Sequence, residues 1–181
     1  MDIFSHALWA NLIFPGNFPA VTLGSVIPDL PNGPNWLYRF ITGKGSFWKT
    51  KKDLIGLTLG TDEYADGYKY VNRGPLYRCT LILNSVFALL LVWILALTID
   101  SNILNKYFAS AYTFHLALDL FTHKGTECIM RPFYPFSDLG LDFGIVRWGL
   151  QPKWYVILNF ILLGIFYFLK YFKVLPSLNF L

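Results

Sequence analysis

The sequence predicts an all-α fold: a small membrane-embedded helical bundle with two clear transmembrane helices and one or more further helices at membrane depth or at the interface. Three observations lead there. Only 14% of the residues are charged, against roughly 25% in ordinary globular domains, while 55% are hydrophobic and 19% aromatic, with a mean hydropathy of +0.44. Leu81 to Ile99 is a run of nineteen residues without a charge, enough helix to extend about 28 Å, close to the hydrocarbon thickness of a bilayer. Trp154 to Leu169 is a second apolar segment, flanked by Trp154, Tyr155, Tyr167 and Tyr171 with Lys153, Lys170 and Lys173, the residue types that settle at membrane interfaces.

Taken in order, Ile3 to Phe14 reads as a short apolar helix that Asp2 can cap and Pro15-Gly16 ends. It lacks the basic start of a cleavable leader, so it is expected to stay with the chain. Phe18 to Ile27 is a second apolar segment, and the proline-rich stretch Pro28 to Asn35 that follows excludes helix or a central strand. Asp29 stands at that junction, either serving the turn through its own side chain or held by a stiff loop at the mouth of a site. Residues 36 to 74 are the most polar part, with a Lys44, Lys49, Lys51 and Lys52 cluster suited to lipid headgroups. The acidic group Asp62, Glu63 and Asp66 lacks the alternating oxygen pattern of a calcium loop.

Arg73 and Arg78 before the Leu81–Ile99 run, with Asp100 after it, place its N-terminal end on the cytoplasmic side. The next helix is expected from about Ile103 to His123. No internal repeat divides the chain, and residues 1–181 read as a single domain. The net charge of +4 and pI near 9.0 are spread along the sequence rather than gathered on one basic helix, which argues against nucleic acid and for an anionic membrane surface as partner. Cys79 and Cys128 form no CxxC and read as structural.

The chain's rarest chemistry lies in Phe114 to His123. Two of its three histidines, His115 and His123, flank Asp119 at four-residue intervals, so all three share one side of a helix. Ionisable groups in apolar surroundings are costly unless they find partners, and a divalent cation would satisfy them together. A metal-free hydrogen-bonded cluster is the alternative. Because His115 and His123 are about 12 Å apart along an unbroken helix, one ion is hard to share between them. The helix breaks near Thr122, two metals bind, or one histidine supports the site from behind. His6 and Asp29 are the natural candidates to complete the ligand set.

Four segments in this order resemble the bacterial YdjM-like membrane-bound metal-dependent hydrolases and, more distantly, the zinc-dependent phospholipase C proteins. They are Ser5-His6-Ala7-Leu8, Leu23-Gly24-Ser25-Val26-Ile27-Pro28-Asp29, His115-Leu-Ala-Leu-Asp119-Leu-Phe-Thr-His123-Lys-Gly125, and Arg131-Pro132-Phe133-Tyr134-Pro135-Phe136-Ser137-Asp138. The third and fourth are the specific ones. Two positions depart from the pattern: Pro31 replaces a second aspartate, and no histidine follows Tyr77-Arg78-Cys79-Thr80, where Asn84-Ser85 is the nearest polar pair.

The resemblance implies a bacterial inner-membrane, multi-pass hydrolase acting on a phosphoester or ester, lipid included, through a water activated by a divalent metal, Zn²⁺ first among candidates. His6, Asp29, His115, Asp119 and His123 would be ligands, with Asp119 also orienting the attacking water and Arg78 or Arg131 neutralising a phosphate. The missing histidine favours the alternative of a catalytically degenerate protein that uses the cluster for structure or binding. A proton-coupled transporter is disfavoured by the small number of spans.

Overall fold

The computed structural model describes residues 3–32, 75–122, 130–141, 143–145 and 153–172. Among these the chain is helical, with one isolated antiparallel bridge between Met130 and Leu141 as its only β-type pairing. Helix α1 covers Ile3–Ile13 and α2 covers Phe18–Val26, followed directly by a 3₁₀ segment, Ile27–Asn32. Then come α3 (Pro75–Leu83), α4 (Val86–Thr98), α5 (Lys106–Thr122) and α6 (Lys153–Tyr171).

The first helical pair forms as its sequence directs. Asn17 caps α2 by accepting from the Ala20 amide at 3.2 Å, and Pro19 fits the first turn, where its missing N–H costs nothing. The prolines beyond α2 do not prevent helix altogether: the 3₁₀ segment carries Pro31 inside it. About two turns of 3₁₀ helix ask few amides to donate, so proline is tolerated there although a longer α-helix would not accept it.

The centre of the fold is the crossing of α2 with α5. Small side chains, Ala20, Gly24 and Ser25 on one helix and Ala109 and Ala111 on the other, are buried and allow the two backbones to approach closely. A methyl added at Gly24 would lie 2.3 Å from the Phe108 carbonyl oxygen. Ala10 of α1 packs on Val21 and Ala111, so α1 closes one flank of this crossing. On the other, the Tyr112 hydroxyl donates to the Leu83 carbonyl at the end of α3, and the Trp93 indole donates to Thr113 at 3.0 Å.

The predicted transmembrane helices are corrected by this structure. The uncharged run Leu81–Ile99 is not one helix. It breaks at Asn84-Ser85, where Ser85 takes an extended conformation and caps α4 by accepting from the Ala88 amide at 3.2 Å. Asn84 donates back to the Thr80 carbonyl at 3.0 Å and to the Pro28 carbonyl at 3.4 Å. The products, α3 of nine residues and α4 of thirteen, reach only about 14 and 20 Å, short of a bilayer core of about 30 Å. Helix α6 has nineteen residues, but its apolar stretch from Trp154 to Leu169 is shorter than the roughly 20 residues a span requires. Its polar side chains Asn159, Tyr167 and Lys170 are turned onto α1. Among the described residues no helix is long and apolar enough to cross a membrane, so the expected membrane-embedded bundle and its multi-pass inner-membrane location are not supported. Composition misled because apolar residues also line the outer faces: Leu90, Leu91, Ile94 and Leu97 of α4 are exposed, as are Ile161 and Phe168 of α6.

Candidate metal centre

His6 arrives on α1, one turn before Ala10 and on the same buried side of that helix. Asp29 arrives on the 3₁₀ segment, and His115 and Asp119 arrive one turn apart on α5. The four converge at the point where α1, the end of α2 and α5 meet. One ligand atom from each of His6, Asp29 and His115 lies within 4.8 Å of the others, only slightly wider than two ligands across one ion with bonds near 2.1 Å. Asp119 bridges the two histidines, with Oδ1 3.1 Å from His6 Nε2 and Oδ2 3.1 Å from His115 Nε2. Asp29 Oδ2 stands 3.8 Å from His6 Nδ1 and 3.9 Å from His115 Nε2. The imidazole rings are 4.0 Å apart, tilted by 41°.

The orientation of His115 is set from behind. Its Nδ1 is 2.6 Å from the Ser25 carbonyl oxygen, and a carbonyl can only accept, so Nδ1 carries the proton. In the neutral ring this leaves the Nε2 lone pair facing the two carboxylates, the usual arrangement of a metal-binding histidine. His6 Nε2 and His115 Nε2 are buried against Asp119 oxygens at 3.1 Å, whereas His6 Nδ1 is buried with Asp29 Oδ2 at 3.8 Å. His6 Nδ1 is thus beyond hydrogen-bond reach of the Asp29 carboxylate. Buried polar atoms are seldom left so, and these ligand types, converging from three elements, form a His–Asp–His group that could hold a metal ion.

Charge and burial act differently on the two histidines. Burial, foremost, lowers the His6 pKa to about 3, with Asp119 pulling against it and His115 adding to the depression. At His115 burial also lowers the pKa, but Asp119 and Asp29 together with the Ser25 hydrogen bond outweigh it, and the net shift is upward. His6 is therefore neutral and available as a ligand across the physiological range.

This difference has a measurable consequence in the metal-free protein. Between pH 6.5 and about 3 the unfolded chain binds a proton at His6 that the folded chain refuses, so acidification through that window removes stability, on the order of 5 kcal/mol in all. His115 has a raised pKa; its contribution is fully present below pH 6.5 and is lost only as pH rises through the raised value. His6 thus sets the histidine share of the acid slope. Urea unfolding in chelator from pH 7 to 4 should show a steeper loss for wild type than for His6→Gln. Equal slopes would contradict the assignment.

Of the predicted site residues, the structure brings together His6, Asp29, His115 and Asp119. His123 lies outside the described residues; the histidine that joins His115 is His6. Arg78 is exposed on α3, and Arg131 is in an ion pair with Asp138 at 3.0 Å. Cys79 is exposed and forms no disulfide, and Cys128 lies outside the described residues. Sequence reasoning missed the Ser25 carbonyl, because a backbone acceptor leaves no side-chain signature. Compared with protein-family models, curated proteins and solved structures, the chain has no match.

Proposed function

We propose that the protein is a metal-dependent hydrolase of the YdjM-like kind, cleaving a phosphoester or ester, with Zn²⁺ as its metal. The observation that carries this reading is the convergence of two buried imidazoles, His6 and His115, with the carboxylates of Asp29 and Asp119. Two imidazoles and two carboxylates without a thiolate suit a borderline divalent ion in a site that does chemistry. His6, Asp29, His115 and Asp119 would hold such an ion, which would supply a bound water of pKa near 7 and polarise the scissile group.

The chain's own residues divide the remaining work. Ser25 fixes His115 so that Nε2 faces inward. His6 stays neutral and offers a nitrogen from the opposite helix. Asp119 is buried and touches both rings, placed to bind the metal or to orient the attacking water. Asp29, with a quarter of its side chain exposed, marks the side from which water and substrate approach, since both histidines are fully buried.

A second reading is favoured by one observation. Asn84 and Ser85, the polar pair nearest to where the resemblance places a further histidine, are occupied in bracing the 3₁₀ segment and capping α4. A catalytically degenerate protein would use the His–Asp–His cluster for structure or binding and lack turnover. Elemental analysis of purified protein, followed by assay of nitrophenyl phosphodiesters and esters, separates the possibilities. Near-stoichiometric metal, with hydrolysis lost in chelator and restored by Zn²⁺, is expected. Metal without turnover, or no divalent metal at all, selects the second reading and removes the hydrolase.

A further inference from the structure

Helix α1 supplies His6, yet its sequence, Ile-Phe-Ser-His-Ala-Leu-Trp-Ala-Asn-Leu-Ile, is apolar around almost its whole circumference. Hydrophobic burial alone gives such a helix little reason to turn one side inward rather than another. A rotation of one residue, about 100°, would carry His6 out of the site. Something other than hydrophobicity must set the angle, and the polar contacts of α1 show what does.

On the flank next to His6, α1 meets α6. The Trp9 indole N–H donates to Asn159 Oδ1 at 2.9 Å, and Asn159 Nδ2 donates to Ser5 Oγ at 3.0 Å. Ser5 and Trp9 are one helical turn apart, so the single Asn159 amide spans one turn of α1 with both of its ends engaged. Ser5 is the residue before His6 and, like it, is fully buried. Further along, the Tyr167 hydroxyl donates to the Leu8 carbonyl at 2.8 Å, and Lys170 donates to the Asn11 and Leu12 carbonyls at 3.2 and 2.9 Å. Those last carbonyls of α1 have no partner within the helix, and a cation there also suits the helix dipole. The two helices run in the same sense, with Asn159, Leu163, Tyr167 and Lys170 forming the stripe of α6 that meets α1.

Asn159 is the only amide in an otherwise apolar stretch of α6. Its two hydrogen bonds can form together at only one rotation and one register of α1; any other setting strands the amide and the indole in largely apolar surroundings, where each lost bond is costly. We propose that Asn159 is a positioning residue for the metal centre: by bridging Ser5 and Trp9 it locks the rotation of α1 that points His6 at Asp29, His115 and Asp119. Its role in metal binding rests on the function proposed above, whereas the lock itself is a property of the metal-free protein.

The test uses the full chain and three proteins: wild type, Asn159→Leu, and Leu163→Ala. Leu163 is the buried apolar residue of the same stripe, so its truncation weakens the docking of α6 while leaving the amide bridge in place. Two readouts are taken. Cobalt(II) titration reads affinity and the visible absorption band of the site, and imidazole NMR of metal-free protein reads the His6 ring, assigned by its loss in His6→Ala. Asn159→Leu is expected to weaken cobalt binding about tenfold or more, as removal of outer supports of metal sites does, to alter the band, and to displace the His6 resonances. Leu163→Ala is expected to lower the melting temperature and leave band and resonances as in wild type. The lock is refuted if Asn159→Leu keeps wild-type affinity, band and His6 resonances, or if Leu163→Ala changes them equally. Should wild type itself take no cobalt, the proposed function falls and the NMR comparison alone decides the lock.

Discussion

Replacing His115 by alanine is expected to reduce bound divalent metal to background and to weaken added metal by more than about 100-fold, beyond the 10–100-fold typical of outer supports. His115 contributes Nε2 to the constellation, and among the described residues the group that could hold a metal ion has His6 as its only other histidine. The substitution does second damage. It removes the hydrogen bond to the Ser25 carbonyl and takes from buried Asp119 one of the two rings it touches, so in chelator the variant should lose stability on the order of 3 kcal/mol. Asp29→Asn separates the two effects. Its side chain is partly exposed, so the stability cost should stay below about 1 kcal/mol while metal content still falls. Elemental analysis and urea unfolding of both variants make the comparison, and wild-type metal content in His115→Ala would end the metal assignment.

The part of this site that could be read from the sequence is the part written in side-chain identity. Histidine and aspartate are rare in this apolar chain, so His115 and Asp119 at helical spacing were conspicuous, and His6 and Asp29 were the remaining candidates in apolar segments. Three-dimensional convergence was not readable, because it depends on a crossing of α2 and α5 made by alanine, glycine and serine, residues that carry no chemical signal. The same limit explains the error over membrane spans. Nineteen uncharged residues look alike whether they form one helix or two, and the decision rested on Ser85 acting as a cap. A serine inside an apolar run was the available signal; in a continuous helix its hydroxyl can bond back to a preceding carbonyl, as Thr98 does with Ile94. Ser85 does so with Ile82 and also accepts from Ala88, and the extended backbone at Ser85 is what separates the helices. Asn159 was visible as the most polar residue of its segment, but sequence could not say that both its ends belong to α1.

Gly24→Ala is expected to destabilise the protein by about 3 kcal/mol or more and to weaken metal binding, although Gly24 is not a ligand. In the middle of a helix this exchange ordinarily stabilises, because glycine is the poorer helix former by about 1 kcal/mol. Here the added methyl would sit 2.3 Å from the Phe108 carbonyl oxygen and 3.1 Å from its Cα, backbone atoms of α5 that no rotamer change can move aside. The overpacking term, typically 1–3 kcal/mol and larger when backbone must shift, therefore outweighs the propensity gain. Relief requires α2 to move off α5 near the turn that carries Ser25, whose carbonyl holds His115 at 2.6 Å, and near the start of the segment that carries Asp29. A displacement of even half an ångström there loosens both the orientation of Nε2 and the distance to the carboxylate, so affinity should fall together with melting temperature. Ala20→Gly provides the opposite case: it lies one turn earlier on the same helix, is fully buried, and should cost about 1 kcal/mol in propensity while leaving the Ser25–His115 contact in place. If Gly24→Ala lowers stability no more than Ala20→Gly, or leaves metal affinity unchanged while unfolding earlier, the close crossing is not what holds the metal centre together.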